Sequence, residues 1–367
     1  MRRLVHYYPG ALGNSGVTFA LWAWARAQAT AGFEVNVLHG GMDTNCGVPE
    51  FVSKSPIPGL TVQHVPHRGN HRVTRRPVGL ARYLGRRDLL ILHEGWVTNN
   101  IVAARAARRL GVPYIVMPHG VYDPAWTPYL KGPRAIRDPL ERRVLEGANA
   151  VHVFFESEMA GVVRVAPAAS FLTVPIGFDV PHTHWTGGGD YLSWLGRIDP
   201  VHKGLDILVG GMALLPPAVR PSLRIHGYDY QGGLSRLQSL VADRGLGHWV
   251  RFGGALAGAE KLVFLQEAMG YVHPSRWDSN PVALVENLAL AVPSLVSNSI
   301  HMAGALAPSR AAVLVPPTEE AIAQGLLRLT AERDELSAKG RAFVAETFAW
   351  NVVIPRFLSE LERLGLD

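Results

Sequence analysis

Short apolar runs alternate along the chain with longer stretches whose apolar positions recur every three or four residues. Leu4–Tyr8, Phe33–His39, Leu89–Leu92, Tyr114–Met117, Val151–Phe155 and Leu172–Pro175 read as strands. Thr18–Thr30 and an Ala/Arg-rich stretch, Asn100–Leu110, read as helices between them. Such a rhythm predicts a mostly parallel sheet with helices on both faces. It pauses at Asp179–Gly189, where Pro181, His182, His184 and consecutive glycines fall together, and a domain linker is expected there. A second series follows, with strands at Tyr191–Leu195, Ser222–His226, Trp249–Phe252, Gly270–His273 and Ser294–Ser297. Helices fit Gly204–Leu215, Leu234–Arg244, Ala259–Glu267, Pro281–Leu290 and Glu319–Leu329, and Arg341–Leu364 is helical with a break near Trp350–Asn351. Two α/β domains are expected, residues 1–180 and 181–350, with strand ends that can face each other across a cleft. Ligands of such sheets bind outside the carboxyl ends of the strands.

Composition narrows the class without changing this picture. The 367 residues are 48% hydrophobic and 18% charged, which suits two folded domains and excludes a disordered chain. The single Cys46 excludes an intramolecular disulfide and a Cys-based zinc site, and fits a reducing, cytoplasmic setting. The longest stretch without Lys or Arg, Trp277–Ser309, is interrupted by Asp278, Pro281, Glu286, Pro293 and Pro308, so it does not read as a membrane span. Met1-Arg2-Arg3 could open a signal peptide, but Pro9-Gly10 and Gly13-Asn14 break its apolar core, and a first strand is the better reading.

The net charge is +6 and rests on arginine. Between His64 and Arg87 lie Arg68, Arg72, Arg75, Arg76, Arg82, Arg86 and Arg87 with no acid among them. Such a block is ordinarily a solvated face. Its sharper reading is contact with an anionic acceptor, through Arg72, Arg75 and Arg76, or peripheral attachment to an anionic membrane face. No nucleic-acid partner is expected.

Three motifs carry candidate chemistry. Gly13-Asn14-Ser15-Gly16 follows the first strand and precedes the first helix, where glycines let a ligand approach the backbone and free N–H groups favour an anion. In Gly196-Arg197-Ile-Asp-Pro-Val-His-Lys203-Gly204, a fork-shaped and a point cation lie six residues apart after a strand, a spacing that can aim both at one polyanion. In Asp278-Ser279-Asn280-Pro281-Val282, Asn280 is a good N-cap and Pro281 a good first helical residue. Glu286 then falls inside an otherwise apolar helix, where a buried carboxylate needs a partner; a ligand hydroxyl would serve. No Asp-x-Asp stands at a strand end and no close carboxylate/His cluster suggests a metal.

The order G-R-x5-K-G, followed about eighty residues later by an acid, seven residues and Glu286, resembles the retaining family-four glycosyltransferases. Ala289-Leu-Ala-Val-Pro293 resembles the tail of that pattern, and Val174-Pro-Ile-Gly177-Phe-Asp179 the family's interdomain segment. Met117-Pro-His119-Gly120, Val313-Leu-Val-Pro-Pro317 and Phe348-Ala-Trp350 resemble further signatures, so the likeness covers nearly the whole chain. Three departures stand out: Asp278 replaces the usual Glu, Asn287 and Ala291 replace the usual Ala and Gly in the helix, and Asn298–Gly304 replaces the usual Gly-Gly-x-x-Glu turn.

The resemblance implies a GT-B fold of two facing Rossmann-like domains, with the last helix, about 351–367, packed back on the N-terminal domain. It implies metal-independent transfer, with retained configuration, from a nucleoside diphosphate sugar to a hydroxyl of a sugar, glycolipid or small-molecule acceptor. Uridine is the favoured base, and no cofactor is expected. Arg197 and Lys203 would stabilise the leaving diphosphate, aided by backbone at Gly13–Gly16 and Ser279–Val282. Glu286 would hold the donor ribose, and Asp278 would lie near the transferred sugar. His119 would contact the transferred sugar or acceptor, without acting as a general base; His93 and Glu94 would face acceptor. Two alternatives stay open at this stage: another GT-B enzyme, such as an epimerase or phosphorylase, and a nucleotide-binding module without turnover.

Overall fold

The computed structural model describes residues 2–13, 15–41, 56–69, 71, 74–125, 130 and 132–367; Asn14, Cys46 and Arg72, singled out above, lie outside the described residues. The chain divides into two compact units, Met1–Gly177 with Trp350–Asp367, and Phe178–Ala349. Among the described residues, no helix is long and apolar enough to cross a membrane.

The first unit is built on a parallel seven-stranded sheet. Its strands are β1 (Arg3–Tyr7), β2 (Val35–His39), β3 (Leu60–His64), β6 (Asp88–His93), β7 (Tyr114–Met117), β8 (Ala150–Val153) and β9 (Phe171–Thr173), in the order β3-β2-β1-β6-β7-β8-β9. A separate short hairpin pairs β4 (His67–Arg68) with β5 (Arg76–Pro77). Every residue of β6 is buried. A strand covered on both faces has no polar side to show, which is why the central strands appear in the sequence as continuous apolar runs.

The helix Gly16–Thr30 leaves β1 with Ser15 as its N-cap; the Ser15 hydroxyl accepts from the Thr18 N–H at 3.2 Å. That bond satisfies one of the free donors of the first turn. Trp24, on this helix, is fully buried. Its ring meets those of Trp350 and Phe357, on the last helix (Trp350–Arg363), at centroid distances of 5.3 and 5.1 Å. Arg363 closes the same contact by donating from Nη2 to the Phe171 carbonyl at 2.7 Å.

The second unit repeats the plan. Strands β10 (Tyr191–Ile198), β11 (Ser222–Asp229), β12 (Val250–Gly253), β13 (Gly270–His273), β14 (Ser294–Ser297) and β15 (Val313–Val315) form a parallel sheet in the order β12-β11-β10-β13-β14-β15. One core packs Trp194, Leu208, Met212, Ile225, Leu237 and Ile322, all buried, between sheet and helices. In each unit the strand order reverses beside the first strand: β1 lies between β2 and β6, and β10 between β11 and β13. Connections leave such a strand toward opposite sides, which opens a crevice at its carboxyl end. Each unit is thus Rossmann-like, and each has one topological switch point.

The polar interior of the first unit is unusual for its histidines. His6 on β1, His93 at the end of β6 and His152 on β8 are buried, and His119 follows β7. Burial pushes His6 and His152 down to about 4 and His119 to about 3, and holds His93 well below its ordinary value, because a charged ring loses its hydration there. All four rings are therefore neutral near pH 7. In an unfolded chain they take up protons near pH ~6.5. Stability is then full above that value and is lost as pH falls, by about 1.4 kcal/mol per pH unit for each such histidine. We expect the urea midpoint of unfolding to drop steeply between about pH 7 and about pH 5, before most carboxylates titrate. A midpoint that stays level over that range would contradict the burial of neutral rings.

Candidate functional site

The switch point of the second unit gathers the G-R-x5-K-G loop and the segment after β13. Arg197 lies near the end of β10, and the loop turns back at Gly204, whose φ of 63° is left-handed. Gly204 is needed for a second reason: a Cβ there would run into the carbonyl oxygen of Pro274. This close crossing brings Lys203 against the β13 loop, where its Nζ sits 2.6 Å from Asp278 Oδ2. Both side chains are mostly buried. Burial opposes the charge on Asp278, but the Lys203 ammonium and the neighbouring His273 overcome it and hold the carboxyl far below its usual range. His273 Nε2 lies 3.3 Å from the same oxygen, in contact but not aligned as a hydrogen bond.

Arg197 is held differently. Its Nη2 donates to His202 Nδ1 at 2.7 Å, and its guanidinium lies 4.2 Å from the centre of the Tyr230 ring. His202 in turn stacks on Trp277, with centroids 4.3 Å apart and planes within 6°, and its Nε2 donates to the Trp277 carbonyl at 3.1 Å. Burial and the nearby Lys203 push His202 down to about 4, so the ring is neutral and can accept from the arginine. The nearest carboxylate, Asp199, is 3.8 Å away, and the Arg197 Nε–H is buried without a hydrogen-bond partner. A cation is thereby fixed at the carboxyl end of a central strand with a donor left over.

Arg276 is structural: it makes a two-pronged pair with Asp206, at 2.7 and 2.8 Å, which locks the two loops together. The helix expected from Pro281 instead spans Val282–Ala289, with Pro281 as its cap residue and no side-chain cap bond from Asn280. Pro281 has ψ of 80°, outside the helical range, so the helix begins one residue later. Asn280 accordingly sits in a tight turn, its carbonyl accepting from the Val282 N–H at 2.9 Å. Glu286, in that helix, does have the partner its position demands, but the partner is protein: Lys261 Nζ at 2.6 Å, from helix Gly258–Glu267. Ser279 belongs to the same segment, and the Asp278 carbonyl accepts from the His301 N–H at 3.0 Å, so the unusual Asn298–Gly304 turn braces this loop.

In the first unit, Gly13, Ser15 and Gly16 lie after β1, while His93, Glu94 and His119 end or follow β6 and β7. His119 and Gly120 have φ of 56° and 77°, and Glu94 and Trp96 have φ of 67° and 61°. Several left-handed non-glycine residues in two adjacent turns mark a place where surrounding contacts overrule local preference. Those contacts are visible. Asn100 Nδ2 donates to the carbonyls of His93 and Glu94 at 3.1 and 3.0 Å, and Glu141 accepts from the Trp96 N–H at 2.8 Å and from the Tyr122 hydroxyl. Burial raises the Glu141 carboxyl against these bonds.

His93 and Glu94 are both buried, and His93 has both ring nitrogens engaged, to His6 and to His119, so only His119 of this set is partly exposed. Arg75 donates to the Gly40 carbonyl and so braces the end of β2; Arg76 is exposed on the β4–β5 hairpin. The sequence reading missed His202, His273, Lys261, Asn100 and Glu141. A single polar residue carries no signal in the sequence of the distant partner it meets in the fold.

The profile of the Glycosyl transferase 4-like domain matches residues 15–177, and that of Glycosyl transferases group 1 matches residues 184–342. D-inositol 3-phosphate glycosyltransferase of Jonesia denitrificans is 29% identical over 185 residues, 48% of this chain and 43% of that protein. The match thus spans less than half the length of that relative. Sucrose-phosphate synthase of Thermosynechococcus elongatus superposes with a TM-score of 0.75 at 20% identity, over 100% of this chain and 99% of that one. Alr3699/HepE of Anabaena, solved in complex with UDP, does so with a TM-score of 0.78 at 14% identity, over 99% and 100%. At these identities the likeness establishes the fold, which is GT-B. With both domain profiles matched in order, and the spaced cations and acids on the second sheet, the chain belongs to the family-four glycosyltransferases.

Proposed function

We propose that this glycosyltransferase moves a sugar from a nucleoside diphosphate sugar, a uridine one by preference, to an acceptor hydroxyl with retained configuration and without a metal ion. The observation that carries the reading is Arg197, a cation held by a neutral histidine and an aromatic ring with a buried N–H left over. Charge that develops on a leaving diphosphate is stabilised by donors already in place. Lys203 supplies the second cation; on turning to phosphate it would leave Asp278 to His273, already 3.3 Å away. Glu286, held in place by Lys261, would accept from ribose hydroxyls. The UDP in the Anabaena protein supports a uridine donor here. Retention follows if the donor phosphate takes the acceptor proton on the face it leaves, with His119 contacting sugar. The acceptor would be a sugar, glycolipid or small molecule held by the first unit.

Arg197→Ala should lower turnover on the order of a hundred- to thousandfold while the protein keeps its stability, since the partner left behind, His202, is neutral. Lys203→Ala should lose turnover and also about 3–5 kcal/mol of stability, because Asp278 stays buried without its partner. Adding Asp278→Asn to Lys203→Ala should restore stability but not turnover. UDP release from UDP-sugars, with urea unfolding in parallel, reads both; near-normal turnover in Arg197→Ala would sink the assignment.

The metal prediction is separate. Turnover should survive EDTA, and proton NMR of the product should show the donor's anomeric configuration. A strict requirement for added magnesium or manganese, or an inverted product, would overturn the corresponding part of the proposal.

A further inference from the structure

Three histidines of the first unit, His6, His93 and His119, are joined end to end. Gln28, on helix Gly16–Thr30, places Oε1 2.7 Å from His6 Nε2. His6 Nδ1 lies 2.9 Å from His93 Nε2, and His93 Nδ1 lies 2.9 Å from His119 Nε2. The ring planes of His93 and His119 lie within 17° of each other, with centroids 5.2 Å apart, so the two rings meet edge to edge. Gln28, His6 and His93 are buried, and His119 is the partly exposed end. None of the four makes this line by chance of sequence proximity: they come from the first helix, β1, β6 and the turn after β7.

Each neutral imidazole has one N–H and one lone pair, so the line carries protons in only two concerted orders. Gln28 Oε1 accepts, which requires the proton of His6 on Nε2 and leaves Nδ1 as acceptor. His93 must then donate from Nε2 to His6 and accept at Nδ1. His119 must donate from Nε2 to His93. Its Nδ1, which has no hydrogen-bond partner among the described residues, is left with a lone pair. The left-handed backbone at His119 and the Asn100 clamp on the His93 carbonyl hold the two rings in this register.

We propose that Gln28, His6 and His93 are positioning residues that keep the proton of His119 on Nε2 and so present Nδ1 as an acceptor for a sugar hydroxyl. The part concerning sugar rests on the placement of His119 under the proposed function; the proton order does not. A lone pair of fixed direction selects a hydroxyl that can donate there, and it excludes His119 as a proton donor to the leaving group.

The test is nitrogen NMR of the full chain labelled at histidine, with His119 assigned by loss of its signals in His119→Gln. In the wild type, His119 should show protonated Nε2 and unprotonated Nδ1. Gln28→Met keeps the volume but removes the terminal acceptor, and the two His119 nitrogen signals should move toward each other as the tautomers mix. His6→Phe should give the same result by a second route. A wild-type His119 protonated at Nδ1, or signals unmoved in both folded variants, would overturn the relay. Turnover is followed with whichever of UDP-glucose, UDP-galactose and UDP-N-acetylglucosamine is hydrolysed fastest. Gln28→Met should lower kcat about three- to tenfold, the loss of one oriented hydrogen bond, with KM for the donor little changed. In a His119→Asn background the same change should cost nothing further. Tautomers that mix while kcat holds would leave the relay standing and refute the placement of His119 against sugar.

Discussion

The pair between Lys203 and Asp278 ties together two loops that are 75 residues apart in sequence, and the candidate site of the second unit depends on it. Neither charge is comfortable where it sits. Taking a carboxylate out of water costs several kcal/mol, and the attraction of a close cation offsets this only when the geometry is tight. The geometry is tight because Gly204 allows the loop after β10 to cross against Pro274. A side chain there would push Lys203 away and leave Asp278 with only the off-axis His273. The same crossing sets His202 against Trp277, and through His202 it fixes Arg197. One glycine and one ion pair thus determine where both cations point.

The two units solve the problem of buried polarity in different ways. The second unit keeps charges and pairs them: Lys203 with Asp278, Lys261 with Glu286, Arg276 with Asp206. The first unit keeps rings neutral and joins them by hydrogen bonds at the switch point between β1 and β6. This division suits the proposed chemistry. A diphosphate needs fixed positive charge, whereas a sugar hydroxyl needs a directed donor or acceptor and is served poorly by a charge that water would screen.

Much of the fold could be read from the chain because central parallel strands are apolar on both faces and end at turns. Tyr114–Met117, Gly270–His273 and Ser294–Ser297 coincide with the runs read from sequence. The elements that were missed lack that signal. Strand Leu60–His64 lies at the sheet edge with polar and half-exposed residues, and helix Arg134–Glu146 is highly charged with Pro139 inside it. Helix Ala303–Ser309 contains Pro308 and is short. For the site, the spaced Arg197, Lys203, Asp278 and Glu286 were legible because their chemistry is carried by local spacing. Their partners were not: His273, Lys261 and the line from Gln28 to His119 are brought together only by sheet order, which single residues do not encode. The cap at Asn280 was misread because Pro281, with ψ of 80°, is not helical and takes the cap position itself, which moves the start of the helix one residue on.

The central claim is that the second unit holds a nucleoside diphosphate through Arg197. Isothermal titration with UDP and with uridine, on the wild type and on Arg197→Ala, tests it most directly. UDP should bind at least about a hundredfold more tightly than uridine, and this advantage should shrink by about ten- to a hundredfold in Arg197→Ala, as expected for a charge-assisted hydrogen bond. UDP binding no tighter than uridine, or an advantage unchanged in the variant, would contradict it.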